Sequence, residues 1–247
     1  MGAIPKQKKM KEFHLIIAFF RKIVYTVSDK NKGRIEMKVL LVLGSPHEKG
    51  CTYTALKEIE KTLMEEGIET ELFWLGAKPI SGCLGCGGCA QTGKCVVDGD
   101  CVNRLIEIAK TADGFIFGSP VHYASASGMI TCAMDRLFYA AKRSGVNPFR
   151  LKPAACVVSA RRAGTTATFD QLIKYFTISE MPVISSRYWN MVHGNTPQQV
   201  AQDLEGLQTM RILARNMAWF LKIKEAATKA GILLPREEKG VATNFIR

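Results

Sequence analysis

The chain predicts a doubly wound α/β fold on a five-stranded parallel sheet. Three observations lead there: short apolar runs without alternation, stretches of helical spacing between them, and loops of small polar residues where the runs end. Runs of that kind suit strands covered on both faces by helices. Their regular interleaving restricts the chain to right-handed crossovers.

Residues 39–43, Val-Leu-Leu-Val-Leu, are a continuous apolar run ending at Gly44, the pattern of a central strand. Leu56, Ile59 and Leu63 then recur at helical spacing up to Gly67, a helix stop. Residues 68–74 alternate, with Ile68, Thr70, Leu72 and Trp74 on one side, as in a strand nearer the edge. After a cysteine-rich segment, a helix is expected over 102–111 and a third strand over 114–118. A helix over 129–142 leads to a fourth strand at 154–158. A helix near 168–178 leads to a fifth strand around 182–186. Residues 197 to about 230 read as one long helical stretch, interrupted at Gly206.

The formal charge of +12 in 247 residues would suit a nucleic-acid binder, but half of it lies in residues 1–36. There nine Lys/Arg (Lys6, Lys8, Lys9, Lys11, Arg21, Lys22, Lys30, Lys32 and Arg34) face three acids, Glu12, Asp29 and Glu36. The remaining residues carry no nucleic-acid-binding motif, and their mild basicity fits anionic nucleotides or an acidic redox partner. Residues 1–36 are expected to be a basic extension, poorly ordered or loosely attached, ahead of a domain over 37–247 with a helical C-terminal tail. No apolar run approaches the roughly 18–20 residues that cross a bilayer, so stable membrane insertion is not expected. Eight cysteines, four of them in one cluster, are too few for a secreted disulfide framework, and a cytoplasmic protein is expected. Its four histidines, His14, His47, His122 and His193, are scattered, and no Ser-His-Asp constellation supports hydrolysis.

In a sheet of this kind ligands bind beyond the carboxyl ends of the strands. Three loops occupy those ends. The first runs from Gly44 through Ser45, His47, Cys51 and Thr52 to Thr54, where hydroxyls and backbone N–H groups at a helix start suit a terminal phosphate. It is neither a P-loop nor a dinucleotide fingerprint, since Lys49 precedes Gly50 and G-x-G-x-x-G is missing. An ordinary capped loop is the plainer reading. The second, 118–128, holds Pro120, Val121, His122, Tyr123 and Ser125 among small residues that let backbone approach a flat ring; a tight turn with a Ser cap is the plainer reading. The third, 159–166, sets Ser159, Arg161, Arg162 and Gly164 where a pyrimidine edge or nucleotide phosphate would be held, although exposed arginines are usually just solvated.

Taken together, these loops resemble those of the flavodoxin-like NAD(P)H-dependent FMN reductase family, whose first loop reads close to G-S-P-x-x-x-G-x-T and whose second is similar to G-S-P-V-Y-Y-A-S, here with His122 at a frequent tyrosine position. The resemblance covers roughly residues 38–221. It implies a flavodoxin-like sheet of order 2-1-3-4-5, with FMN phosphate near Ser45, His47, Cys51, Thr52 and Thr54. It places the isoalloxazine along Pro120, Val121, His122, Tyr123 and Ser125, with Ser159, Arg161 and Gly164 in the third loop. It also implies NAD(P)H as co-substrate and a homo-oligomer.

Cys83, Cys86, Cys89 and Cys95 form C-x2-C-x2-C-x5-C, separated by glycines that let the backbone wrap closely. Four thiolates in one loop suit a [4Fe–4S] cluster. Structural zinc more often uses two separated knuckles, and free or redox-active thiols are a third reading. Cys101 is a substitute for the fourth ligand. On this sheet the spacing looks like the cluster motif of iron–sulfur flavoproteins, a branch of the same family, which implies electron exchange with a low-potential carrier such as ferredoxin. The expected function is an FMN-dependent oxidoreductase; an iron–sulfur electron carrier and a non-catalytic flavin-binding partner are the alternatives. Residues 189–194, aromatic and Gly-bounded, are read as a flavin cover, a subunit contact or plain core.

Overall fold

The chain divides at Glu36/Met37, and the computed structural model describes residues 37–247 except 146, 239, 242, 246 and 247. The basic extension therefore lies outside the described residues. Elements follow in the order β1 (Lys38–Leu43), α1 (Cys51–Glu65), β2 (Glu69–Trp74), α2 (Cys89–Thr92), α3 (Val102–Thr111), β3 (Gly114–His122), β4 (Ser125–Ala126), α4 (Gly128–Arg143), β5 (Ala154–Ala160), α5 (Thr165–Thr177), β6 (Met191–His193), α6 (Pro197–Val200) and α7 (Leu204–Lys229).

The parallel strands are ordered β2-β1-β3-β5-β6, with β4 antiparallel on β3. Discounting that two-residue hairpin arm, this is the expected flavodoxin-like 2-1-3-4-5 order, with the reversal between β1 and β3. Strand pleating explains the unbroken apolar run. Leu40 and Val42 of β1 enter one core with Phe115 and Phe117 of β3 and the inner faces of α3, α4 and α5. Val39, Leu41 and Leu43 enter the opposite core with Ile116 and the facing stripes of α1 and α7. Both faces of the sheet are thus dry, as the sequence pattern requires.

Three expectations are corrected. The fifth strand is split: residues 182–186 contribute only the bridge Ala154↔Val183, and the strand proper is Met191–His193, paired with Val158–Ala160. The chain leaves β5 because its polar groups are captured elsewhere. Asn216 Nδ2 of α7 donates to the Ser185 carbonyl at 2.8 Å, and Ser186 Oγ donates to the Thr209 carbonyl at 2.7 Å. The long C-terminal helix breaks before Gly206, not at it. Asp203 caps α7 by accepting from Gly206 N at 2.9 Å, while its other oxygen accepts from His193 N at 2.7 Å. The second loop is shorter than expected, since β3 continues through Pro120 and Val121 to His122. Pro120 sits at the last rung beside β5, where its missing N–H costs least.

Candidate functional site

The loops leaving β1 and β3 are stitched together at the carboxyl edge of the sheet. Gly44 N donates to the Gly118 carbonyl at 2.8 Å, and Ser127 Oγ donates to the Gly44 carbonyl at 2.6 Å. Ser119 Oγ accepts from Ser127 N at 3.0 Å, so the buried hydroxyls of Ser119 and Ser127 fasten the start of α4 to both loops. Ser127 is also the N-cap of α4, accepting from Ile130 N. Neither serine was singled out from the sequence as a site residue. Their signal was only that small hydroxyls recur where a strand meets a helix.

Ser45 is buried, its Oγ accepting from His47 N at 3.1 Å and its carbonyl accepting from Trp74 Nε1 at 2.8 Å. His47 itself is exposed beside the start of α1. That helix begins at Gly50 with no side-chain cap. Its first N–H groups and the positive end of its dipole therefore suit an anion. Thr54 Oγ1 turns back to the Gly50 carbonyl at 3.2 Å, and the Cys51 thiol, raised by burial against an opposing backbone hydrogen bond, donates to the Gly194 carbonyl at 3.5 Å. Thr52 is buried with its hydroxyl 2.7 Å from that of Ser159, which joins the first loop to the end of β5.

The other expected residues lie in the second and third loops, and Pro120 is paired in register with Ser159. Val121 is half-buried against Gly164, whose backbone is left-handed at φ +92 and where a Cβ would lie 2.9 Å from Val121 Cγ1. Only glycine fits that approach of the third loop to the second. His122 and Ser125 pair across the β3–β4 hairpin. Tyr123, at its tip, is fully exposed with φ +52, a strained conformation for a bulky residue. Arg161 is exposed and Pro120 half-buried. Tyr188 and Trp189 project at the neighbouring edge, so plain core packing does not describe Trp189.

A second candidate site lies in the segment between β2 and α3. Cys83, Cys86, Cys89 and Cys95 line one cavity with Leu84, Gly87, Val96, Val97, Arg136, Tyr139 and Ala140. Gly85 and Gly87 adopt left-handed φ of +63 and +74, which allow the chain to curl between successive cysteines. Cys83 and Cys86 are exposed, Cys89 is buried and Cys95 half-buried. Burial pushes the Cys89 thiol up, and the nearby thiols of Cys83, Cys86 and Cys95 add to that against a backbone hydrogen bond. Crowded sulfurs of this kind favour a cationic occupant. Among the described residues no three His, Cys, Asp or Glu side chains converge on a single metal ion. Four thiols lining one cavity are a donor set that suits an iron–sulfur cluster or a zinc ion. Cys101 is not among the lining residues; its thiol donates to the Leu75 carbonyl at 3.3 Å.

Arg136 was not anticipated. Its side chain is fully buried and reaches from α4 into this segment, where it pairs with Asp100 and donates to Cys95 Sγ at 3.1 Å. The clue was a charged residue on the helix face that also carries Ala133, Leu137 and Ala140, all buried. Burial acts to raise the Asp100 carboxyl, but its hydrogen bonds and the Arg136 charge hold it below the ordinary carboxylate value. Arg136 lies nine residues beyond the N-cap Ser127, about 13.5 Å along the axis of α4, so one helix borders both candidate sites.

Residues 37–196 match the model of the NADPH-dependent FMN reductase family. The chain is 33% identical over 196 residues to an iron–sulfur flavoprotein of Methanocaldococcus jannaschii, covering 76% of this chain and 98% of that protein. It is 28% identical over 195 residues to an iron–sulfur flavoprotein of Archaeoglobus fulgidus, covering 74% and 97%. Among solved structures, a flavodoxin-like WrbA-type protein of Agrobacterium tumefaciens superposes with a TM-score of 0.53 at 14% identity, covering 76% of this chain and 98% of that one. The likeness to that structure extends to the fold alone. On the family match, the loop-built carboxyl edge and the iron–sulfur flavoprotein relatives together, the chain belongs to the NADPH-dependent FMN reductase family, on its iron–sulfur flavoprotein branch, and is an FMN-dependent oxidoreductase.

Proposed function

We propose that FMN binds across the three loops at the carboxyl edge and that the four cysteines hold a [4Fe–4S] cluster with which it exchanges electrons. The observation that carries this reading is the gathering of Cys83, Cys86, Cys89 and Cys95 around one cavity, flanked by the helix whose first turn fastens the loops. When bound, FMN supplies hydride acceptance and single-electron release, which suits a junction between two-electron and one-electron partners.

The chain's own residues then have assignable tasks. The uncapped start of α1, with Ser45, His47, Cys51, Thr52 and Thr54 around it, receives the phosphate. Thr52 acts through its bond to Ser159, which keeps the first and third loops in register. Pro120, Val121, His122, Tyr123 and Ser125 form the wall for the flat ring, and Arg161 and Gly164 close the third side. Cytoplasmic residence fits thiols kept reduced by the compartment. A homo-oligomer would cover part of the exposed Tyr188–Trp189 edge.

The electron donor has two readings. The family match favours NADPH, whereas the cysteine cavity favours a one-electron iron–sulfur carrier such as ferredoxin. Stopped-flow reduction of the oxygen-protected, FMN-loaded protein separates them. Bleaching of flavin absorbance by NADPH at catalytically useful rates supports the reductase, while slow bleaching by NADPH and fast bleaching by reduced ferredoxin supports the carrier. Inertness to both donors refutes both and leaves a flavin-binding partner.

A further inference from the structure

We propose that Arg136 is a positioning residue for the iron–sulfur site, presetting Cys95 as its anchoring ligand and donating an N–H···S hydrogen bond to it. This rests on the cluster reading above. Arg136 Nε donates to Cys95 Sγ at 3.1 Å. Nη1 donates to the Ser81 carbonyl at 3.1 Å and to Asp100, and Nη2 donates to the Val97 carbonyl at 2.7 Å and to Asp100 Oδ1 at 3.1 Å. All five N–H donors of a guanidinium are thereby used, in a side chain with no solvent exposure.

A buried arginine is costly unless fully satisfied, so the neighbouring loop must adopt one arrangement to satisfy it. The tied points precede, contain and follow the last cysteine: Ser81, Cys95, Val97 and Asp100. Asn103 adds a second hold on Cys95, accepting from its N–H at 2.9 Å and donating to its carbonyl at 3.0 Å. Cys95 is therefore fixed at nitrogen, oxygen and sulfur by residues of α3 and α4. By contrast, the sulfur of exposed Cys83 receives one long backbone contact, from Gly85 N at 3.5 Å.

Two consequences distinguish positioning from simple support. A preformed fourth ligand slows iron loss, because partners behind metal ligands typically govern retention by about 10- to 100-fold. An N–H···S bond also stabilises the more negative, reduced state of a cluster and raises its reduction potential.

The test uses the full chain, prepared without oxygen, as wild type, Arg136→Lys and Asp100→Asn. Iron release to a chelator and the potential of the iron chromophore are read, with bound FMN and circular dichroism reporting the fold. The expected result is folded, flavin-binding variants that lose iron about tenfold faster or more, and Arg136→Lys with a potential shifted negative. Folded variants with wild-type iron retention and an unshifted potential would overturn the proposal. Should Arg136→Lys fail to fold, Asp100→Asn decides by the same retention criterion. Wild-type protein that binds FMN but never holds iron refutes the cluster reading itself and this proposal with it, whereas iron-loaded wild type with indifferent variants refutes the proposal alone.

Discussion

Gly44 is the hinge on which the account of the carboxyl edge turns, and adding one methyl group to it is a severe perturbation. A Cβ at this position would lie 2.6 Å from both Cβ and Cδ1 of Ile130 and 2.8 Å from its Cγ1. Ordinary contact begins at 3.4 Å, so about 0.8 Å must be found. Rotating the Ile130 side chain relieves Cδ1 and Cγ1 but not Cβ, which is attached directly to the backbone of α4. The first turn of α4 has to retreat, and Ser127, which donates to the Gly44 carbonyl, retreats with it. Overpacking of this kind costs about 1–3 kcal/mol. For a domain of this size each kcal/mol lowers Tm by about 2–4 °C. Gly44→Ala should therefore melt about 2–12 °C below wild type and bind FMN more weakly, read by thermal melting and by quenching of flavin fluorescence. Gly128→Ala is the matched control: it lies at the start of the same helix, and its Cβ would meet nothing within 4 Å. It should be neutral or stabilising by up to about 1 kcal/mol. Equal melting and equal FMN affinity for Gly44→Ala and Gly128→Ala would refute the claim that the two loops are locked through Ile130.

Ser159→Ala strands the buried Thr52 hydroxyl and should cost about 1–3 kcal/mol in urea denaturation, whereas Thr52→Val combined with Ser159→Ala, which removes both partners, should recover much of that loss. Asp203→Ala removes the α7 cap and the acceptor for His193 N together, so a loss of about 1–2 kcal/mol is expected by the same measurement. Burial pushes the Cys156 thiol well above its ordinary value of 9.0, so the folded chain keeps a proton that the unfolded chain releases from about pH 9. The associated stability is complete below that pH and is lost as pH rises. Lys152 and Lys224, lowered by burial, act in the opposite direction, so the comparison is with Cys156→Ala: above pH 9 wild type should lose stability faster than the variant, and parallel pH profiles would contradict the assignment.

The sheet was legible because its strands are buried on both faces. Val39 through Leu43 alternate between two cores, so every position must be apolar, and no local rival explains such a run. The loops were legible as a set because glycine, serine and threonine recur at each strand end, although their pairings were not. Nothing near Thr52 points to Ser159, 107 positions away. The split of the last strand was hidden for a similar reason. Residues 182–186 have strand character, but Asn216 and Thr209 of a later helix take the polar groups of Ser185 and Ser186 away from β5. Arg136 was the costliest omission. The cysteine spacing drew attention to Cys83, Cys86, Cys89 and Cys95, while the group that bonds to the Cys95 sulfur lies 41 positions further on, in a helix read only for its periodicity.

In the proposed arrangement one chain carries FMN at its carboxyl edge and an iron–sulfur cluster in its cysteine cavity. Protein purified without oxygen and assayed for flavin, iron and acid-labile sulfide tests it most directly. The expected content per chain is about one FMN, four iron and four sulfide, falling to flavin alone when Cys83 and Cys86 are both replaced by serine. Oxygen-protected wild-type protein that takes up no FMN, or that holds flavin with neither iron nor sulfide, would contradict it.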